Sequence, residues 1–234
     1  MGYWYFDWTM LLLIPAFILT LVAQSKVKSA YRRYLRVPVR NGMTGAQAAR
    51  RILDLNGLTD VPVGQVGGEL SDHYDPAKRS VSLSQDVYGG ATVASVAIAA
   101  HECGHAIQHQ TGYSLLVIRN AIAGPVSFVS MASWPLLIIG ILLIQAGRLS
   151  TGNLIFDIGV IAFAAVVLFH LVTLPVELNA SSRALKIIEE EGIVAAEERA
   201  GAKKVLSAAA LTYVAALAMA VAQLLRLLLL RGRN

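Results

Sequence analysis

Five consecutive residues, His101-Glu102-Cys103-Gly104-His105, set two imidazoles four positions apart with a carboxylate beside the first. On a helix, positions i and i+4 share one face. Two such rings converge on one divalent cation, and a glutamate one residue on falls beside the water that the cation holds. Zinc suits this set, because it lowers the pKa of a held water toward ~7 and polarises a carbonyl. Glu102 would take the proton of that water and later return it to a leaving amine. The chemistry that such a set would do is hydrolysis of an amide bond.

Catalytic zinc takes three protein ligands and keeps one position open. His109 shares the face of His105 but lies a turn farther on, which suits an outer partner better than a compact tetrahedron. His73 qualifies on spacing alone. The single cysteine, Cys103, excludes a disulfide framework and any multi-cysteine metal site, and reads as a small packing residue. The third ligand must therefore be sought by topology.

Apolar residues make up 56% of the 234-residue chain and charged ones only 15%, against roughly 25% charged in soluble domains. A wholly soluble fold is excluded. Residues 8–25, 120–147, 158–176 and 205–225 carry no charge, and each is long enough to cross a bilayer as a helix. We assign transmembrane helices to 8–25, 120–147, 155–176 and 205–226. The first is read as a retained anchor, since MGYWYFD lacks the basic residues of a signal peptide. Trp4, Tyr5 and Trp8 suit the interfacial belt.

Lys26, Lys28, Arg32, Arg33, Arg36 and Arg40 follow the first span with no acid among them. This positive-inside signal puts residues 26–119 and 177–204 in the cytoplasm. Arg226, Arg231 and Arg233 then form an external basic tail that opposes the rule but is outweighed. Glu177 stands at the cytoplasmic mouth of the third span, and the hairpin before it crosses the membrane twice. His101, His105 and Glu177 thus lie on one side and form the expected ligand set. The basic run implies contact with the lipid bilayer. No signature of nucleic-acid binding accompanies it.

Within 26–119, Thr44 and Gln47 form a capping box opening a helix over 44–57. Segments 61–66 and 80–84 read as strands, and the SDHYDP segment between them as a polar turn. The alanine-rich run from Ala91 to about Gln110 reads as the helix carrying the motif. Strand 80–84 offers an edge on which an extended substrate could add. Past the third span, Pro175 marks a helix start or a kink. A further helix begins near Val194 and continues into the fourth span. Negative charge developing on a substrate carbonyl needs a donor, and His73, Tyr74 and Arg183 are the candidates.

The stretches SDHYDPAKRSVSLSQDVYGG, AAHECGHAIQH and LPVELNASSRAL, in this order among the spans, resemble the bacterial YugP-type neutral zinc metallopeptidases of the membrane. The resemblance covers nearly the whole chain. It implies His101 and His105 as ligands, Glu102 as base and Glu177 as third ligand, as in the glutamate-zincin class. Wider relatives carry an acid four residues after the ligand glutamate, where this chain has Ser181. YugP-type chains often have Asp two residues after it, where this chain has Asn179.

The expected fold is mainly α, a polytopic membrane protein with four transmembrane helices and a small cytoplasmic zincin-like α+β region carrying the HExxH helix. The expected function is a zinc endopeptidase of the bacterial cytoplasmic membrane. It would hold one Zn²⁺ per chain, face the cytoplasm and act on peptides or membrane proteins. The rival is an inactive membrane scaffold or adaptor with a degenerate zinc site. No phosphate loop, nucleotide fingerprint or serine elbow supports another enzyme class.

Overall fold

A computed structural model describes residues 7–232; Trp4, Tyr5 and Arg233 lie outside the described residues. A 3₁₀ segment, Trp8–Leu12, leads into α1 (Leu13–Tyr34), followed by α2 (Gly45–Leu55), β1 (Val63–Val66), β2 (His73–Asp75), β3 (Ser80–Ser84) and α3 (Gln85–Gly89). Then come α4 (Val93–Gln110), α5 (Ser114–Gln145), α6 (Leu149–Glu190) and α7 (Ala196–Arg231). The 3₁₀ segment with α1, and α5, α6 and α7, are each long and apolar enough to cross a membrane. Pro125 and Pro135 lie inside α5 and Pro175 inside α6 without ending either helix. Pro175 therefore starts no new helix.

The chain divides into two units. One comprises the residues up to Val22, Ile118–Leu174 and those from Tyr213 onward. Leu137, Phe156, Val160, Phe163, Val167, Ala220 and Leu227 form its buried cluster. Gly140 lets α5 and α6 approach closely, since a Cβ there would stand 2.7 Å from the Phe156 backbone nitrogen. Such small-residue contacts are the usual way helices pack in lipid. Two ion pairs complete this unit, Arg226 with Asp7 and Arg231 with Asp157. The two described basic residues of the expected external tail are thus each matched by an acid.

The other unit comprises Ala23–Val117 and Pro175–Thr212. The Thr44–Gln47 capping box forms as the spacing predicts and starts α2 at Gly45. Ala48, Ala49, Ile52 and Leu53 of α2 pack with Val96, Ala97, Ala100 and Cys103 of α4 in one core. Burying each larger aliphatic side chain stabilises the fold by about 1.5–3 kcal/mol, and alanines on α4 bring the helices close.

The sheet corrects two expectations. His73–Asp75 is a strand, not a turn, and pairs antiparallel with β3. Strand β3 lies in the centre, in the order β1-β3-β2, with β1 parallel to it. It offers no edge, because both of its sides are already paired. Val81 and Leu83 alternate into the core, the half-buried pattern of such a strand.

Candidate active site

Helix α4 carries His101, Glu102 and His105, and the C-terminal part of α6 carries Glu177. Gly104 lets the two helices meet, since a Cβ there would lie 2.7 Å from the Ala180 carbonyl oxygen. Ala180 is one helical turn beyond Glu177, so this close approach brings the carboxylate against the two imidazoles. Glu177 is 2% exposed. Its Oε2 lies 3.3 Å from His101 Nε2 and 3.4 Å from His105 Nε2. The three ligand atoms fall within 4.8 Å of one another. The rings stand nearly perpendicular, at 84°.

These spacings fit a metal. Two ligand atoms each 2.0–2.1 Å from a tetrahedral zinc are about 3.3–3.4 Å apart. The donor set of two imidazoles and one carboxylate is that of a catalytic zinc with an open position. The electrostatics agree. Burial by itself would lower the pKa of His105, but the Glu177 carboxylate facing its Nε2, with Glu102, raises it above the usual imidazole value. A field that draws a proton to that nitrogen draws a divalent cation there too.

A chain of hydrogen bonds sets the tautomer of His105. Arg183 can only donate, and its Nε–H donates to Asn179 Oδ1 at 2.8 Å. The same oxygen must then accept from Gln108 Nε2, at 2.9 Å, and that amide nitrogen also donates to the Val176 carbonyl at 2.8 Å. Gln108 Oε1 is left as the acceptor facing His105 Nδ1 at 3.0 Å. His105 Nδ1 therefore carries a proton, and its Nε2 turns toward Glu177. Ser181 Oγ stands 3.1 Å from His101 Nδ1 and can hold the second ring likewise. Hydrogen bonds of this kind orient ligand imidazoles and raise their basicity.

Of the sequence candidates, the structure gathers His101, His105 and Glu177. Glu102 is 8% exposed, and among the described residues no side chain hydrogen bonds to its carboxylate. Arg183 joins the site only through Asn179 and Gln108. Tyr74 is half-buried on β2, its hydroxyl 2.8 Å from His109 Nδ1, which ties the strand to the last turn of α4. His73 is exposed and its Nδ1–H donates to the Ser71 carbonyl at 2.8 Å. It is not part of the three-ligand cluster. Burial pushes the Cys103 thiol up, so Cys103 is a packing residue and not a nucleophile.

Gln108 was not among the sequence candidates. It is fully buried, and its amide makes three hydrogen bonds. Its one sequence signal is an amide side chain three positions after His105, on the turn that follows the motif. Gln108→Ala is expected to weaken zinc affinity about 10–100-fold and to destabilise the fold by about 1–3 kcal/mol through unpaired buried groups. Chelator competition and thermal unfolding measure the two effects. Gln108→Glu, which keeps the acceptor for His105 but loses both donations, is expected to recover the first effect more than the second.

The profile of the family described as "Putative neutral zinc metallopeptidase" matches residues 9–232. "Putative membrane protease YugP" of Bacillus subtilis (strain 168) is 50% identical over 225 residues, covering 95% of this chain and 97% of that protein. No solved structure matches the chain significantly. The match runs through the four long apolar helices and through all three members of the cluster. The chain belongs to this family of neutral zinc metallopeptidases of the membrane.

Proposed function

We propose that the protein is an endopeptidase holding one Zn²⁺ per chain on His101, His105 and Glu177, with Glu102 as general base. The observation that carries this is the pair of 3.3 and 3.4 Å distances between the imidazole Nε2 atoms and one buried Glu177 oxygen. When bound, zinc polarises the scissile carbonyl and acidifies the attacking water. Glu102, one residue from a ligand, accepts the proton of that water and passes it to the leaving amine nitrogen. Gln108 and Ser181 keep the two rings aimed throughout. His73, Tyr74 and Arg183 are the candidate donors to the developing oxyanion. Of these, Tyr74 is held in place by His109. The outer side of β2 is the sheet edge on which an extended substrate adds.

The setting follows from charge and continuity along the chain. Residues 8–25, 120–147, 155–176 and 205–226 span the bacterial cytoplasmic membrane, and residues 26–119 and 177–204 face the cytoplasm. The pairing of Arg226 with Asp7 and of Arg231 with Asp157 weakens the one signal opposed to this orientation. Glu177 directly follows an uncharged stretch, so membrane-tethered chains meet the site first. Such substrates gain from a high effective concentration.

Metal removal tests the reading. Protein purified in detergent is expected to carry about one zinc per chain. It should lose peptidase activity on a casein-type substrate after chelation and regain it on zinc return. Full activity in the stripped protein would overturn the proposal. A chain that binds zinc but cleaves nothing, in detergent or in its own membrane, would favour the scaffold.

A further inference from the structure

The charge boundaries of two helices meet along one cleft. Lys26 is the first charged residue after the uncharged stretch 8–25 on α1, and Lys204 is the last before the uncharged stretch 205–225 on α7. Both line a cleft of about 730 Å³ formed by α1 and α7, within the ~300–1,000 Å³ of small-molecule sites. Arg33 and Lys203 also line it, and no acid does. None of these four cations forms an ion pair among the described residues, whereas Arg40, Arg199 and Lys186 each pair with a glutamate. All four are exposed.

The rest of the lining suits a phosphate ester attached to an alkyl chain. Ser25, Ser29 and Ser207 bring hydroxyl donors to the same wall. On α1, Lys26, Ser29 and Arg33 repeat at i, i+3 and i+7, which puts them on one face. Ala30, Ala200 and Ala208 leave the volume open, and Leu211, inside the uncharged stretch of α7, gives the cleft an apolar end. Gly201 sets the width, since a Cβ there would come within 2.7 Å of the Tyr34 ring. Cations and hydroxyls thus stand where the uncharged stretches begin, and an apolar end stands within one of them.

We propose that this cleft binds the headgroup of an anionic phospholipid, its phosphate held by Lys26, Arg33, Lys203 and Lys204 and an acyl chain passing Leu211. The proposal is independent of the peptidase reading. It differs from general attraction of a polybasic segment to acidic lipid, because Lys28, Arg32 and Arg36 belong to the same basic run but not to the cleft.

That difference gives the test. The full chain is reconstituted in vesicles of equal phosphatidylglycerol and phosphatidylcholine, re-extracted in mild detergent, and its retained lipids are counted by native mass spectrometry. Wild type is expected to retain phosphatidylglycerol over phosphatidylcholine by about tenfold. The combined variant Lys26→Gln, Lys203→Gln, Lys204→Gln should fall to near parity. The variant Lys28→Gln, Arg32→Gln, Arg36→Gln, with the same loss of charge, should stay within about twofold of wild type. Zinc content and unfolding temperature report whether each variant folds, and Lys203→Gln alone, with a partial loss, stands in for a cleft variant that does not. Parity in wild type, or equal loss in both triple variants, would overturn the site. Displacement of the retained lipid by inorganic phosphate at about 10 mM, near physiological ionic strength, would overturn the lipid as its ligand in favour of a free anion.

Discussion

Glu102→Gln is expected to abolish peptide cleavage and leave zinc in place. The amide keeps the size of the carboxylate, so the packing of α4, where Cys103 and Gly104 follow directly, is preserved. His101, His105 and Glu177 are untouched. What is lost is the ability to take a proton from the attacking water, and a positioned base contributes typically ~10²–10⁴-fold. Metal analysis and turnover of the same preparation separate binding from chemistry. Wild-type turnover by the zinc-loaded variant would sink the assignment of Glu102.

Glu177→Ala should strip the metal. It removes the only carboxylate of the cluster, and that carboxylate is buried between two imidazoles at 3.3 and 3.4 Å. Two neutral rings alone give a divalent ion neither its third ligand nor charge compensation. Loss of partners outside the ligand shell already lowers affinity about 10–100-fold, and loss of a ligand should exceed that. His73→Ala and His109→Ala should retain nearly full zinc content, because one ring is engaged at Ser71 and the other at Tyr74. Zinc retained by Glu177→Ala and lost from His73→Ala would reverse the ligand assignment.

What the chain discloses before folding follows physical lines. The four long helices are written in runs without charge, which no soluble segment of that length would carry. The motif helix is written in its alanines and in the four-residue spacing of His101 and His105. Helix ends beyond the apolar runs are less legible, because α6 continues through Pro175 and Glu177 to Glu190 with no change of period to mark the passage. Strand β2 has three residues, too few for alternation to show, and its polar composition reads as a turn. That strand's pairing with β3 moves the free edge, which pattern alone cannot foresee.

The surroundings of the ligands are the least legible part. Ser181 stands at the place where the resemblance leads one to look for an acid, and its hydroxyl reaches His101 Nδ1 from there. Asn179, in place of an aspartate, accepts from both Arg183 and Gln108. A carboxylate there could accept the same bonds, so the neutral residue preserves the direction of every donor in the chain. Gln108 has no motif around it, and its role emerges only when α4 and α6 are side by side.

The thiol of Cys103 sits between Glu102 and Gly104, fully buried, its S–H directed at the Ala49 carbonyl of α2 at 3.6 Å. It is also the only cysteine in the chain. A thiol reagent therefore has one address, and it can arrive only when the catalytic helix lifts away from α2. The rate of alkylation in the native protein becomes a clock for that opening, and its dependence on zinc would measure how firmly the ion fastens the helix in place.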